Sequence, residues 1–251
     1  MQRSKGFFLT LPSNSCLSTF PSNTVANFKV KLPAESISLE GDWEVALVEM
    51  LYSHTWSTIR EGNQQTFIYD AGTGYTTGLI NSGHYNTVVD VVRVLNSCMT
   101  KEAKEKIKFS YVASKQKVQV EVPKGGEVLL TGDIATTLGF DNDTVITKKT
   151  ISSYVADING GFSTMFVYCN LVSNQIVGDK QVPLLRAVQI EGKYSDIVTK
   201  TYQNPLYIPI GIKNFETVEV DISDDSGRRV PFQYGRSICT LHLRPNHSIY
   251  L

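Results

Sequence analysis

Residues 43–52 read Trp-Glu-Val-Ala-Leu-Val-Glu-Met-Leu-Tyr. At strand spacing, one side takes Trp43, Val45, Leu47, Glu49 and Leu51, and the other takes Glu44, Ala46, Val48, Met50 and Tyr52. Successive strand side chains point to opposite faces. A strand that is apolar on both sides asks for cover on both sides. The stretch therefore reads as a strand near the middle of a packed sheet. The turn residues Gly41-Asp42 precede it, and Ser53-His54-Thr55 ends it. Glu49 interrupts the apolar pattern. Carboxylates are rarely buried unpaired, so Glu49 reads as a position that reaches solvent or a partner. No second acid, histidine or ligand cluster stands near it in sequence to make it catalytic.

Outward from this strand, Phe28, Val30 and Leu32 alternate with lysines, as in a half-exposed strand. Residues 1–25 read as an apolar arm broken by Pro12 and Pro21, able to dock on its own domain or on a neighbour. After residue 65 the character changes. Gly72, Gly74 and Gly78 miss the dinucleotide-binding spacing by one residue and lead into no helix, so they read as a mobile loop. Residues 85–99 carry a helical apolar stripe, with Ser82 or Asn86 as the cap. Residues 107–112 and 117–122 alternate as a β-hairpin. Asp133 is placed to cap a short helix, 134–138, that stops at Gly139. From residue 151 onward short strands and turns follow one another, including 165–172, 184–190, 218–222 and 239–243.

This spacing predicts a mainly β chain, a β-sandwich or jelly roll with an α+β insertion of one helix plus a hairpin. The divisions are an N-terminal arm at 1–25, the β framework at 26–65 and 151–251, and the inserted unit at 66–150.

The 251 residues suffice for a core, and 24 basic residues balance 24 acidic ones. No basic stripe of the kind that marks a duplex-binding protein is evident, and aromatics form no stacking platform. No specific nucleic-acid partner is expected. No apolar run approaches the roughly 20 residues of a membrane span, so no membrane insertion is expected. Cys16, Cys98, Cys169 and Cys239 are far apart, and the last two lie in apolar strands, which reads as buried free thiols. His54, His84, His242 and His247 lack metal-ligand spacing, and no nucleophile elbow or phosphate-binding loop is present. No enzyme activity, metal or cofactor is expected. Asp224-Asp225 reads as a turn and Arg228-Arg229 as solvated. Arg186 sits in an apolar strand and needs a partner. Asp179 is the candidate, within the chain or between subunits.

The chain resembles the penton, or minor capsid, proteins of Polinton/Maverick elements and their adintovirus relatives. The pieces that carry the resemblance run in order along nearly the whole chain. They include Phe28-x-Val30-x-Leu32-Pro33 and Trp43-Glu44-Val45-Ala46-Leu47-x-Glu49, the helix start Gly83-x-Tyr85, and Leu138-Gly139-Phe140. Later come Val167-Tyr168-Cys169-Asn170, Gly178-Asp179, Leu184-Leu185-Arg186, Val230-Pro231-Phe232 and Leu241-His242-Leu243-Arg244. One departure is Ser53-His54, where a proline is expected after Tyr52. The resemblance implies a single jelly-roll β-sandwich, formed by 26–65 and 151–251, that assembles as a homopentamer at the fivefold vertices of an icosahedral capsid, beside a double jelly-roll major capsid protein. It implies a virion location for a chain made inside the host cell. The alternative is a jelly-roll binding module that recognises a carbohydrate or host receptor through loops such as 70–83 or 141–163.

Overall fold

The computed structural model describes residues 6–33 and 36–246. They fall into two compact units, Met1–Thr55 with Ser163–Leu251, and Trp56–Phe162. The second unit extends past the expected 66–150 at both ends.

The first unit is built on eight strands: β1 (Phe7–Pro12), β2 (Asn27–Lys31), β3 (Trp43–Ser53), β4 (Thr164–Cys169), β5 (Leu184–Gln189), β6 (Ile197–Thr201), β7 (Thr217–Ser223) and β8 (Ser237–Pro245). One antiparallel sheet has the order β1-β8-β3-β6, with the short strand Ile208–Pro209 also paired to β3, and the other has the order β5-β4-β7-β2. The first strand pairs with the last, the second with the seventh, the third with the sixth and the fourth with the fifth. That nesting is a hairpin rolled over into two sheets, which is the jelly roll. The second unit occupies the connection between β3 and β4.

β3 corrects the opening expectation. It is not covered equally on both faces. In its pairing with β8, Thr240 lies opposite Glu49 and Leu241 opposite Leu47, which leaves Val48 as an extra residue in a β-bulge. The bulge exchanges the parity of the strand. Val45 and Leu47 face the core before it, Met50 and Tyr52 after it, and all four are fully buried. They meet Leu243, Leu241, Cys239 and Ser237 of β8, each also fully buried. The two-sided apolar pattern in sequence is thus one buried face that changes parity midway.

The expected arm contains a structural strand. β1 pairs in register along β8, and Leu11 is buried in the core. The Ser13 amide donates to the Ser237 carbonyl at 2.9 Å, and the Ser237 hydroxyl donates to the Val25 carbonyl at 2.6 Å. Residues 1–5 lie outside the described residues.

The second unit holds a four-stranded antiparallel sheet in the order Thr144–Ile146, Glu127–Leu130, Thr66–Asp70, Tyr75–Leu79, and a three-stranded sheet of Thr150–Ile151, Lys117–Glu121 and Lys108–Val112. It also carries helices α1 (Val88–Cys98), α2 (Lys101–Lys106) and α3 (Gly132–Leu138). Its core gathers Phe67, Val91, Leu95, Phe109, Val120 and Leu130.

Helix α1 starts later than expected, and Thr87 caps it, not Ser82 or Asn86: the Thr87 hydroxyl accepts from the Asp90 amide. The preceding residues are committed elsewhere, since Gly83 bridges to Ile59 and the Tyr85 amide donates to Thr58 Oγ1. Gly72 and Gly74 lie in the hairpin turn between Thr66–Asp70 and Tyr75–Leu79. Asp70 Oδ1 accepts from the amides of Gly72, Thr73 and Gly74 at 2.7, 3.0 and 2.9 Å. The Gly72 amide leads these bonds in holding the Asp70 carboxyl below its usual range.

Candidate functional site

The outward face of the β1-β8-β3 sheet carries a connected row of side chains. Phe8 and His242 are cross-strand partners, with rings stacked at 4.5 Å and 21° between planes. His242 Nδ1 lies 2.7 Å from the Tyr207 hydroxyl. The Arg244 guanidinium sits over the Tyr207 ring at 3.4 Å, and its Nε donates to Glu44 Oε1 at 2.6 Å. Burial, with Arg244 adding to it, lowers the His242 pKa and favours the neutral ring. The row joins β1, β3 and β8 to the segment before Ile208–Pro209. Phe8 leaves 64% of its surface exposed. These groups hold one another in place as a rigid aromatic and polar surface.

The residues singled out in sequence divide among several places. Trp43 is buried beneath Phe7, with ring centroids 5.7 Å apart, and its indole N–H donates to the Glu40 carbonyl at 2.9 Å. Glu44 belongs to the outward row. Glu49 flanks the bulge, and its Oε2 accepts from the Thr201 hydroxyl at 3.3 Å. Tyr168 is half-buried on β4, its pKa raised by burial and by nearby Asp221. Phe232 is half-buried after β7, its amide donating to the Val230 carbonyl.

Tyr85, Gly139 and Phe140 belong to the second unit. The Tyr85 hydroxyl donates to the Asn81 carbonyl at 2.8 Å. Gly139 ends α3 in the left-handed region at φ 80°, where an added Cβ would press on the Tyr154 carbonyl. Phe140 is buried behind it. Asp133 does not cap α3; Thr131 occupies the cap position. The Asp133 carboxylate instead accepts from the Arg60 amide at 2.9 Å and from the Arg60 guanidinium through both of its oxygens.

Gly178 and Asp179 form the exposed two-residue turn of a hairpin, Gln175–Val177 with Lys180–Val182, and Gly178 takes the positive φ such turns require. Arg186 makes no ion pair with Asp179 among the described residues. Its register sets it opposite the buried Val167, on the same face of the sheet. It lies over the Tyr202 ring at 3.6 Å, and its Nη1 is buried without a hydrogen-bond partner among the described residues.

The Asp224 turn is closely bonded. Its Oδ1 accepts from the Ser226 amide and hydroxyl and from the Arg228 amide, and its Oδ2 from Arg228 Nε. Burial pushes its pKa up, but these bonds outweigh it and leave the carboxyl below its usual range. Arg228 and Arg229 are therefore not merely solvated; Arg229 pairs with Asp221 at 3.0 Å. Among the described residues, no group of three or more His, Cys, Asp or Glu side chains is placed to hold a metal ion. No helix of the described residues is long and apolar enough to cross a membrane. The outward row escaped sequence reading because Tyr207 comes from a separate segment. Only the alternation of His242 and Arg244 on β8 signals it.

The chain has the fold of the mavirus penton protein. Its crystal structure superposes with a TM-score of 0.53 at 11% identity, over 96% of this chain and 99% of that one. A chain from the cryo-EM structure of the Sputnik virophage aligns with a TM-score of 0.46 at 8% identity, over 96% and 98% of the two chains. No protein-family model and no curated protein matches the sequence.

Proposed function

We propose that this chain is a minor capsid protein, a penton of the Polinton/Maverick and adintovirus kind, forming homopentamers at the fivefold vertices of an icosahedral capsid. The observation that carries this reading is the extent of the fold match. It covers 96% of the chain, so it runs through the Trp56–Phe162 unit as well as the jelly roll. A jelly roll alone hosts many functions; the same long insertion on the same framework is a narrower likeness. The ordered sequence motifs point the same way.

A ring of five is built from heterologous contacts that close. The double jelly-roll major capsid protein is the proposed neighbour around the ring, which sets the chain in the virion. Light scattering and negative-stain imaging of the purified chain test the assembly. Rings with fivefold symmetry are expected at high concentration. A closed ring of three, four, six or more copies overturns the reading.

A further inference from the structure

Sheet edges left open in a folded protein are ready to pair with another strand, and natural proteins blunt them with lysine, proline or short length. Among the described residues, the open strand edges follow that rule with one exception. β1 stops at Pro12, β2 carries Lys29 and Lys31, β5 carries Arg186, β6 carries Lys200, and Lys108–Val112 carries Lys108. Strands Thr144–Ile146, Thr150–Ile151, Ile37–Ser38, Gln175–Val177, Lys180–Val182, Ile208–Pro209 and Asn214–Phe215 are three residues or shorter. Tyr75–Leu79 is the exception. It is the outer strand of its sheet, bonded to Thr66–Asp70 on one side only, and it reads Tyr-Thr-Thr-Gly-Leu with no charge and no proline. Tyr75 is 69% exposed and Leu79 is 60% exposed. Thr76 and Thr77 are exposed as well. Gly78 is buried because the Phe67 ring occupies the space a side chain would need.

We propose that this edge pairs antiparallel with the same edge of a second copy of the chain, joining two four-stranded sheets across a twofold axis. The strand is complementary to itself. Centred on Thr77, the pairing sets Thr77 against Thr77, Tyr75 against Leu79, and Thr76 against Gly78. Tyr75, Thr77 and Leu79 share one face, so the two most exposed apolar side chains of the strand cover each other. β-Branched residues and aromatic–aliphatic pairs in these positions stabilise a ladder. A charge near the centre of a self-paired strand would face its own copy, and this strand has none. The contact uses only the inserted unit.

The test compares wild type, Thr77→Lys and Thr77→Val by light scattering over a range of protein concentration. Thr77→Lys is expected to halve the mass of the wild-type species. Thr77→Val keeps the β-branched side chain and is expected to retain that mass. Both substitutions lie on an exposed face, and the thermal midpoint is expected to hold. Should Thr77→Lys melt early, Tyr75→Lys reads the same contact. Paired rings fall to single rings if the chain forms fivefold rings, and pairs fall to monomers if it does not, so this inference and the vertex reading fail separately. A mass that Thr77→Lys leaves unchanged in a folded protein overturns the proposal. Amides of residues 75–79 that exchange equally fast at low and high protein concentration overturn it too, and direct attention to an extended segment of another protein.

Discussion

Deleting Val48 tests the account of the central strand. With the bulge in place, Leu47 faces the core, Val48 is the extra residue, Glu49 faces out and Met50 faces in. Removing Val48 leaves Leu47 in, Glu49 out and Met50 in, which is ordinary alternation. The inward set survives. What is lost is a half-buried valine side chain, about 1 kcal/mol, and the bond from the Tyr202 amide to the Val48 carbonyl at 2.8 Å, worth about another 1 kcal/mol.

The alternative is a strand of unbroken alternation covered on both faces, for which the same deletion exchanges the faces beyond it. Glu49, Met50, Leu51 and Tyr52 would each turn to the opposite covered face and meet packing shaped for another side chain, at roughly 1–3 kcal/mol per misfit. Such a sum approaches the whole stability of a typical domain, about 5–15 kcal/mol. Urea unfolding of the two proteins separates these outcomes. The deletion is expected to cost about 2 kcal/mol, the sum of the two losses above, with an unchanged slope. An insoluble or unfolded deletion protein would refute the bulge reasoning.

Three further expectations follow from the side chains. Asp133→Ala leaves the half-buried Arg60 guanidinium without its two-oxygen partner and frees the Arg60 amide, so the inserted unit is expected to lose roughly 2–4 kcal/mol; faster amide exchange in α3 with the jelly-roll strands unaffected is the check. Asp224 has a depressed pKa in the folded state, so its contribution to stability is present above the ordinary carboxylate pKa of about 4 and is lost as pH falls through the lower folded value; Asp224→Asn is expected to flatten the fall in stability below about pH 4, as read by urea titrations at stepped pH. Cys169 and Cys239 are buried thiols whose pKa values burial pushes up to about 12, so a thiol reagent at pH 8 is expected to leave both unlabelled until denaturant is added, and rapid labelling of either in the native protein would contradict the core assignment.

Much of the fold was legible because burial imposes a period on the sequence. The alternation in β2 and in β8 marks their buried faces directly, with Phe28 and Val30 inward in one and Cys239, Leu241 and Leu243 inward in the other. Gly139 announces the end of α3 because few residues other than glycine accept its left-handed backbone. Other features depend on contacts that no local pattern records. The bulge at Val48 is visible only against the register of β8. The role of Asp133 depends on Arg60, far away in sequence, and a carboxylate at the first turn of a helix looks like a cap until that partner is known. Asp70 collects three amides of the glycine loop onto one oxygen, a contact that composition alone does not record. The outward row of Phe8, His242, Tyr207, Arg244 and Glu44 joins residues far apart in sequence, which the β1–β8 and β3–β8 pairings and the pairing of Ile208–Pro209 with β3 bring together.

The central claim is that this chain occupies capsid vertices. Co-expression with a double jelly-roll major capsid protein, followed by cryo-EM of the particles without imposed symmetry at the vertices, tests it most directly. The account predicts five copies of the chain around each fivefold axis, with the jelly roll recognisable by its β1-β8-β3-β6 sheet. Intact particles whose vertices hold another protein, with this chain left in the soluble fraction, would contradict it.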